Sequence, residues 1–187
     1  IELPTAEEAV SYRDGVLVRS TEGTLRFMSQ KNWSAIVKDA AALKGELPAE
    51  AVAVNNKGWT YVFTDRGNIA RLDITDVTER RWKEKGMNLT QFNRELHPDE
   101  KPVKLMFFPS TPVGELVFFT RDGMVKRSDW NDFTSMRTAG GAIILGEGDR
   151  LINVENADDD LNVLEVTAGG VCVGSSGASI SGRGSEG

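Results

Sequence analysis

Tyr61-Val62-Phe63-Thr64-Asp65-Arg66-Gly67-Asn68-Ile69-Ala70-Arg71-Leu72 reads as two short β-rich strands closed on a tight turn. The residues before Gly67 are polar, and glycine takes the positive φ that a short hairpin turn requires. The same Ser/Thr-x-x-Gly pattern follows a β-rich run three more times: Val16-Leu17-Val18-Arg19-Ser20-Thr21-Glu22-Gly23, Leu116-Val117-Phe118-Phe119-Thr120-Arg121-Asp122-Gly123 and Val163-Leu164-Glu165-Val166-Thr167-Ala168-Gly169-Gly170. The closing glycines lie 44, 56 and 47 residues apart. A second short strand follows each: Thr24–Met28, Asn68–Leu72, Met124–Ser128 and Val171–Val173. A lone hairpin is unstable in water, whereas hairpins stacked side by side bury one another's faces. A third strand candidate precedes the later hairpins at Ala51–Val54, Val103–Phe108 and Leu151–Val154. Each of these follows an acid-bearing turn: Leu47-Pro48-Ala49-Glu50, Pro98-Asp99-Glu100-Lys101 and Glu147-Gly148-Asp149. Three or more short strands recurring every ~50 residues predict an all-β, radially repeated, propeller-like architecture.

Around these hairpins the chain offers one helix, Trp33 to Lys44, with Asn32 as cap, Trp33, Ile36, Val37 and Ala40 on one face, and Gly45 as stop. With 40% hydrophobic and 27% charged residues the chain reads as soluble and globular, and no apolar run nears the ~20 residues that span a bilayer. Ile1-Glu2-Leu3-Pro4 has neither the basic start nor the apolar stretch of a signal peptide, and the missing initiator methionine fits a piece of a longer chain. A single cysteine, Cys172 in Val171-Cys172-Val173, excludes an intrachain disulfide and reads as a buried strand thiol. The lone histidine, His97, reads as a loop residue. The net charge of −6 is unevenly spread: residues 1–60 carry 7 basic and 8 acidic side chains, 61–150 carry 14 of each, and 151–187 carry 1 and 6. The middle of the chain can therefore present a basic edge if its acids lie elsewhere.

The third unit runs Phe119-Thr120-Arg121-Asp122-Gly123-Met124-Val125-Lys126-Arg127, then Phe133, Arg137 and Gly140-Gly141, then Glu147-Gly148-Asp149-Arg150-Leu151. The second runs Val62–Leu72, then Arg80-Arg81 and Lys85-Gly86, then Asp99-Glu100-Lys101. Gly182-Arg183-Gly184-Ser185-Glu186-Gly187 is similar to the same Arg/Gly loop in a fourth unit. In this order and recurrence the chain resembles the C-terminal domain of the DNA gyrase and topoisomerase IV A subunits over roughly residues 14–187. The resemblance implies a β-pinwheel, an open variant of the β-propeller built from four-stranded antiparallel blades. Residues 1–13 would form a lead-in, and 14–187 about three blades and part of a fourth, with hairpins near 16–28, 59–72, 115–128 and 161–174. Two departures stand out. The Gln-Arg-Arg-Gly-Gly-Lys-Gly box of the gyrase branch is absent, Met136–Ala142 being the nearest approach, and the chain is acidic where the family's rim is typically basic. Both lean towards a topoisomerase IV-like or divergent subunit.

The resemblance implies a DNA-binding, DNA-wrapping module of a bacterial ATP-dependent type II topoisomerase. Its partners would be double-stranded DNA, the remainder of the parent polypeptide and, through that, the ATPase B subunit, in a cytoplasmic, chromosome-associated setting without a membrane or a cofactor of its own. Gripping duplex DNA requires spaced cations, because neutralising phosphates releases condensed counterions. The candidates are Arg26, Arg66, Arg71, Arg80, Arg81, Lys83, Lys85, Arg121, Lys126, Arg127 and Arg137. Contacts would be to phosphate, with little base readout. Strand alternation puts Lys126 and Arg127 on opposite faces. The bland reading makes these ordinary solvated charges, and the Phe and Trp residues core rather than stacking platforms. No Gly-x-x-x-x-Gly-Lys loop, His-Glu-x-x-His or Gly-x-Ser-x-Gly elbow is present. Tyr12 and Tyr61 are not preceded by arginine, unlike the strand-cleaving Arg-Tyr pair, and Asp158-Asp159-Asp160 reads as a solvated turn rather than a metal site. Catalysis would belong to other parts of the parent enzyme. The alternative is a propeller that serves as a protein-interaction scaffold without binding DNA. A propeller enzyme with a central site finds no convergent catalytic pair.

Overall fold

The computed structural model describes residues 11–135, 139–157, 162–167 and 170–176. Four hairpins stand where the Ser/Thr-x-x-Gly pattern places them: β1 (Asp14–Ser20) with β2 (Leu25–Met28), β4 (Trp59–Thr64) with β5 (Asn68–Leu72), β7 (Glu115–Thr120) with β8 (Val125–Asp129), and β11 (Asn162–Thr167) with β12 (Gly170–Ser176). The third strands are β3 (Pro48–Asn55), β6 (Pro102–Phe108) and β10 (Leu151–Asn156), each antiparallel to the first strand of a hairpin. The resulting sheet orders are β2-β1-β3, β6-β4-β5-β9 and β10-β7-β8, with β9 (Ala139–Gly141) contributed by the segment after the third hairpin. Strand β3 lies against β6 and β6 against β10, so these strands form the inner ends of the three sheets.

The turn chemistry explains the repeat. Gly23, Gly67 and Gly123 have φ of 84°, 82° and 93°, the left-handed region closed to most side chains. Ser20 Oγ accepts from the amides of Glu22 and Thr24 at 3.2 and 3.0 Å, Thr64 Oγ1 from Arg66 and Asn68 at 3.3 and 3.2 Å, and Thr120 Oγ1 from Met124 at 3.0 Å. The hydroxyl thus satisfies turn amides that the ladder cannot reach. A buried or half-buried acid then braces each turn from the start of the third strand. Glu46 accepts from the Ser20 and Thr24 hydroxyls at 3.3 and 2.9 Å, Glu100 from Asn68 Nδ2 at 3.0 Å, and Asp149 from the Asp122 amide at 3.0 Å. In the first unit this acid is Glu46, not Glu50, which lies within β3 and pairs with Arg19 at 3.1 Å.

Alternation along the middle sheet divides the core in two. Tyr61, Phe63, Ile69 and Met106 pack with Leu116, Phe118, Leu151 and Val154 of the third sheet and with Trp130 and Phe133, which follow its last hairpin strand. Val62, Ala70, Leu72 and Leu105 pack with Leu17, Leu25, Phe27 and Val54 of the first. Trp130, 0% exposed, touches Tyr61, Phe63, Phe108 and Phe133 edge-on or tilted, with centroids 5.0–6.4 Å apart. Phe63, Phe118, Trp82 and Trp130 are buried, as the simpler reading has it, while Trp59, Phe107 and Phe108 are partly buried against the core and Phe119 lines a surface groove.

The helix α1 spans Gln30–Lys38, starting three residues and ending six residues earlier than the sequence suggests. Ser29 is the cap, accepting from the Asn32 amide at 3.1 Å, and Val37 faces solvent while Trp33 and Ile36 cover Val16, Val18 and Met28. A 3-10 turn at Ala40–Ala42 follows, where the sequence suggests one continuous helix. A second short helix, α2 (Asn131–Thr134), follows β8. Among the described residues the four-stranded expectation holds for the middle sheet only: the first carries three strands plus two isolated bridges, Leu25 to Met87 and Phe27 to Glu79, and the third carries three.

Candidate nucleic-acid interface

The two stretches read as Arg/Gly loops do more than connect. Each folds back on the outer edge of the preceding sheet. Residues 79–87 run along β2, with Leu25 and Met87 exchanging two backbone bonds of 2.8 Å and the Arg80 amide donating to the Phe27 carbonyl at 2.9 Å. Strand β9 does the same on β5, pairing Ala70 with Ala139, Ile69 with Gly140 and Asn68 with Gly141. The outer edge of one sheet is thereby built from the cation-bearing segment of the next unit.

The candidate cations separate by environment. Arg26 is a correction: it is 4% exposed and its donors are spent. Its Nε and Nη2 donate to the Glu84 carbonyl at 3.1 and 2.8 Å and Nη1 to Thr24 Oγ1 at 3.1 Å. It forms an ion pair with Glu46, and its guanidinium lies 4.2 Å from the Trp82 ring centroid. Arg26 therefore clamps the 79–87 segment from inside and offers nothing to a phosphate. Burial alone would raise the Glu46 carboxyl, but the Thr24 and Ser20 hydroxyls and Arg26 hold it below the usual carboxylate value.

Arg81, Lys83 and Lys85 project from the clamped segment into solvent and make no ion pair with a described carboxylate. Arg80 is half-buried, and its Nη1 donates to the Lys85 carbonyl at 2.9 Å, which tightens the loop on itself. Arg66 is exposed at the tip of the second hairpin. Arg71 is exposed on β5, with its guanidinium 3.8 Å from the Trp59 ring centroid. A ring holds an arginine by cation–π attraction without cancelling its charge. Beneath it, Tyr61 has a buried hydroxyl without a hydrogen-bond partner among the described residues. Burial raises its pKa, against a weaker pull downward from Arg71.

On the third sheet the pattern differs. Arg121 is exposed but pairs with Asp122 at 4.0 Å and donates to the Gly148 carbonyl. Arg127 pairs with Glu115 at 2.6 Å. Lys126 is exposed on β8 opposite Phe118, while Arg127 stands opposite Val117, so the two alternate as expected. Asp149 sits beneath this turn. Burial would raise it, but the Thr120 hydroxyl, the Asp122 and Arg150 amides and Arg121 together hold it below the ordinary carboxylate range. Arg137, the Asp158–Asp160 turn and the Gly182–Gly187 run lie outside the described residues. His97 is exposed in a loop, where its Nδ1 accepts from the Asp99 amide at 3.0 Å. The structure thus gathers Arg81, Lys83 and Lys85 on the first sheet's edge, with Arg66 and Arg71 on the second.

Two residues that matter here are not among the site candidates of the sequence reading, in which Trp59 is a core aromatic. Trp59 and Glu115 each stand five positions before the hairpin threonine, diagonally across from the arginine seven positions after it. Superposing the repeats on Thr64 and Thr120 would have exposed both.

Comparison with known proteins adds the following. The family model of the DNA gyrase C-terminal domain, beta-propeller, matches residues 60–101 and 114–158, each stretch running from a hairpin through its bracing acid. The DNA gyrase A subunit of Mycolicibacterium smegmatis is 28% identical over 178 residues, covering 88% of this chain and 20% of that protein. The DNA gyrase A subunit of Streptococcus pneumoniae is 25% identical over 176 residues, covering 89% of this chain and 21% of that protein. The chain therefore spans about a fifth of the length of these curated relatives. Among solved structures, the C-terminal domain of DNA topoisomerase IV has a TM-score of 0.65 at 22% identity, over 84% of this chain and 50% of that one. The E. coli ParC C-terminal domain has 0.55 at 20%, over 84% and 62%. These likenesses show the fold: an all-β propeller of the kind found in those domains.

Proposed function

We infer that this chain is part of the β-propeller C-terminal domain of the A subunit in a bacterial type II topoisomerase, and that it holds duplex DNA by its phosphates along the outer edges of its sheets. The observation that carries the reading is the 79–87 segment. Three exposed cations whose side chains make no ion pair with a described carboxylate sit on a loop fixed at both ends by backbone pairing and in the middle by Arg26. Glu84 lies among them, with its carboxylate on the Arg81 amide at 2.7 Å. Fixing the loop before binding lowers the ordering cost that a floppy basic loop would meet on contact. Nothing in this geometry distinguishes one base from another, so recognition is of backbone shape and charge.

The scaffold alternative calls for an apolar patch. Met124, Val125 and Ile152 are indeed exposed around one groove with Val103 and Phe119. By the repeat, however, Phe119 and Val125 are the counterparts of Phe63 and Ile69, which pack on the next sheet. We therefore read the patch as the seat of a following sheet rather than of a partner protein. Delivering the bound segment to a cleavage core would belong to the rest of the parent polypeptide, and ATP use to a separate protein.

A labelled duplex titrated by fluorescence anisotropy at 50 and 200 mM salt tests the reading. If about four phosphates are neutralised, affinity falls roughly 100-fold over that range. No binding at the lower salt, or an affinity indifferent to salt, overturns it.

A further inference from the structure

Resting on the duplex-holding reading above, we propose that Glu50 is a positioning residue that locks the first sheet to the second across their inner strands. It thereby keeps the cations of the two sheets aligned for one duplex. The argument starts from a row of polar side chains at one register position. Glu50 on β3, Lys104 on β6 and Asn153 on β10 each stand opposite the residue just before a hairpin hydroxyl: Arg19, Phe63 and Phe119.

Glu50 uses this position to cross between sheets. Within its own sheet its carboxylate takes Arg19 Nε at 3.1 Å. Towards the second sheet it accepts from the Leu105 amide at 2.9 Å and pairs with Lys104 Nζ at 3.5 Å. Strand β6 ends its sheet, so an amide on its open side has no ladder partner, and Glu50 supplies the acceptor from the neighbouring sheet. The Glu50 side chain is 16% exposed, which shields these bonds from salt better than an open surface would. One sheet further on, the arrangement is not repeated. A lysine has no acceptor to offer. The Val154 amide, the counterpart of the Leu105 amide, takes Asn153 Oδ1 of its own strand at 2.9 Å, and Lys104 comes no nearer to Glu155 than 4.0 Å. Among the described residues, the carboxylate clamp thus stands at the seam between the two sheets that carry Arg81, Lys83 and Lys85 on one side and Arg66 and Arg71 on the other. Apolar packing also joins these sheets, but it is non-directional, whereas a bonded carboxylate fixes their register. A duplex that touches both cation groups gains from the second at an effective concentration set by how narrowly the first is fixed relative to it.

The test uses the whole chain, a duplex long enough to lie across both cation groups, and low salt, with thermal unfolding to show that each variant is folded at the titration temperature. Glu50→Ala should weaken affinity about three- to tenfold. Simple electrostatics predicts the opposite sign, because deleting an acid from a chain of net charge −6 favours phosphate. Glu50→Gln, which keeps an acceptor for the Leu105 amide, should fall between wild type and Glu50→Ala, and it carries the test if Glu50→Ala does not fold. Arg19→Gln breaks only the bond inside the first sheet and should change affinity by less than about twofold. In a chain carrying Arg66→Gln and Arg71→Gln, where the first sheet alone engages, adding Glu50→Ala should also cost less than about twofold. Tighter or unchanged binding in the Glu50 variants overturns the inference, as does an equal loss in Arg19→Gln. So does the same loss in the Arg66→Gln, Arg71→Gln chain, or a complete absence of binding by that chain, since the two sheets would then not share the duplex. The parent reading fails separately: a wild-type chain that ignores duplex DNA at low salt removes both, whereas one that binds while Glu50→Ala merely matches it removes only this inference.

Discussion

Replacing Arg26 with alanine tells a structural arginine from a binding one. The side chain is buried and carries an ion pair to Glu46, three hydrogen bonds to Glu84 and Thr24, and a stacked contact on Trp82. Breaking a buried pair by removing one partner costs about 3–5 kcal/mol. Glu46 is partly exposed and keeps two hydroxyl donors, which places the expected loss near the lower end, about 3 kcal/mol. For a chain of this size that is a fall in Tm of roughly 6–12 °C. Arg26→Lys should rescue little, since one ammonium cannot reach carbonyl, hydroxyl and ring together. Because Arg26 grips the carbonyl of Glu84, between Lys83 and Lys85, DNA affinity should weaken by less than about threefold through a looser loop, with no change in salt slope. Lys85→Ala should show the converse: stability within about 0.5 kcal/mol of wild type and a slope flatter by about 0.9. Thermal unfolding alongside salt-dependent anisotropy reads both quantities. An Arg26→Ala protein of wild-type Tm with a flattened slope would refute the reasoning, because the guanidinium would then be facing phosphate.

The remaining predictions concern the turns. Glu46 and Asp149 have carboxyl groups held below their ordinary values in the folded chain, so unfolding takes up protons at acid pH. Their contribution is complete above the ordinary carboxylate value, about pH 4, and disappears as pH falls through their lowered values. Urea midpoints should therefore drop steadily below that pH and less steeply in Glu46→Gln; a midpoint constant down to about pH 3 would contradict this. Gly67→Ala and Gly123→Ala both force a methyl group into left-handed backbone, costing about 1 kcal/mol each. At Gly67 the new Cβ also comes within 2.6 Å of the Ile143 carbonyl oxygen, while at Gly123 nothing lies within 4 Å. Gly67→Ala should thus lose at least about 2 kcal/mol and Gly123→Ala only about 1, by chemical denaturation; equal losses would show that the close approach to Ile143 is absent.

How much of this was legible in the residues depends on range. The hairpins were, because a hydroxyl and a left-handed glycine three positions apart solve a local problem, the unpaired amides of a tight turn, and leave a local mark. The third strands were legible for the same reason. The helix start was misplaced by three residues because Ser29 and Asn32 are both acceptable caps, and only the packing of Trp33 and Ile36 on the first sheet chooses between them. What stayed hidden depends on contacts between units. Residues 79–87 and β9 look like loops until the edge they pair with is present, since an edge strand's partner is set by another part of the chain. Arg26 and Arg71 look alike as basic residues in the second strand of a hairpin, but Arg26 stands six positions after Ser20 and Arg71 seven after Thr64, so strand alternation turns them to opposite faces. One is buried under a segment from 58 residues further on and the other is stacked in the open. Basic residues in a repeat therefore cannot be counted as equivalent contacts. Register sets the face from which each guanidinium leaves, and its neighbours, Glu84 and Glu46 for Arg26, Trp59 for Arg71 and Glu115 among those of Arg127, set how its charge is met. The net charge of −6 is a poor guide for the same reason: three of the acids, Glu46, Glu100 and Asp149, are spent bracing turns, and Glu115, out on the edge, pairs with Arg127.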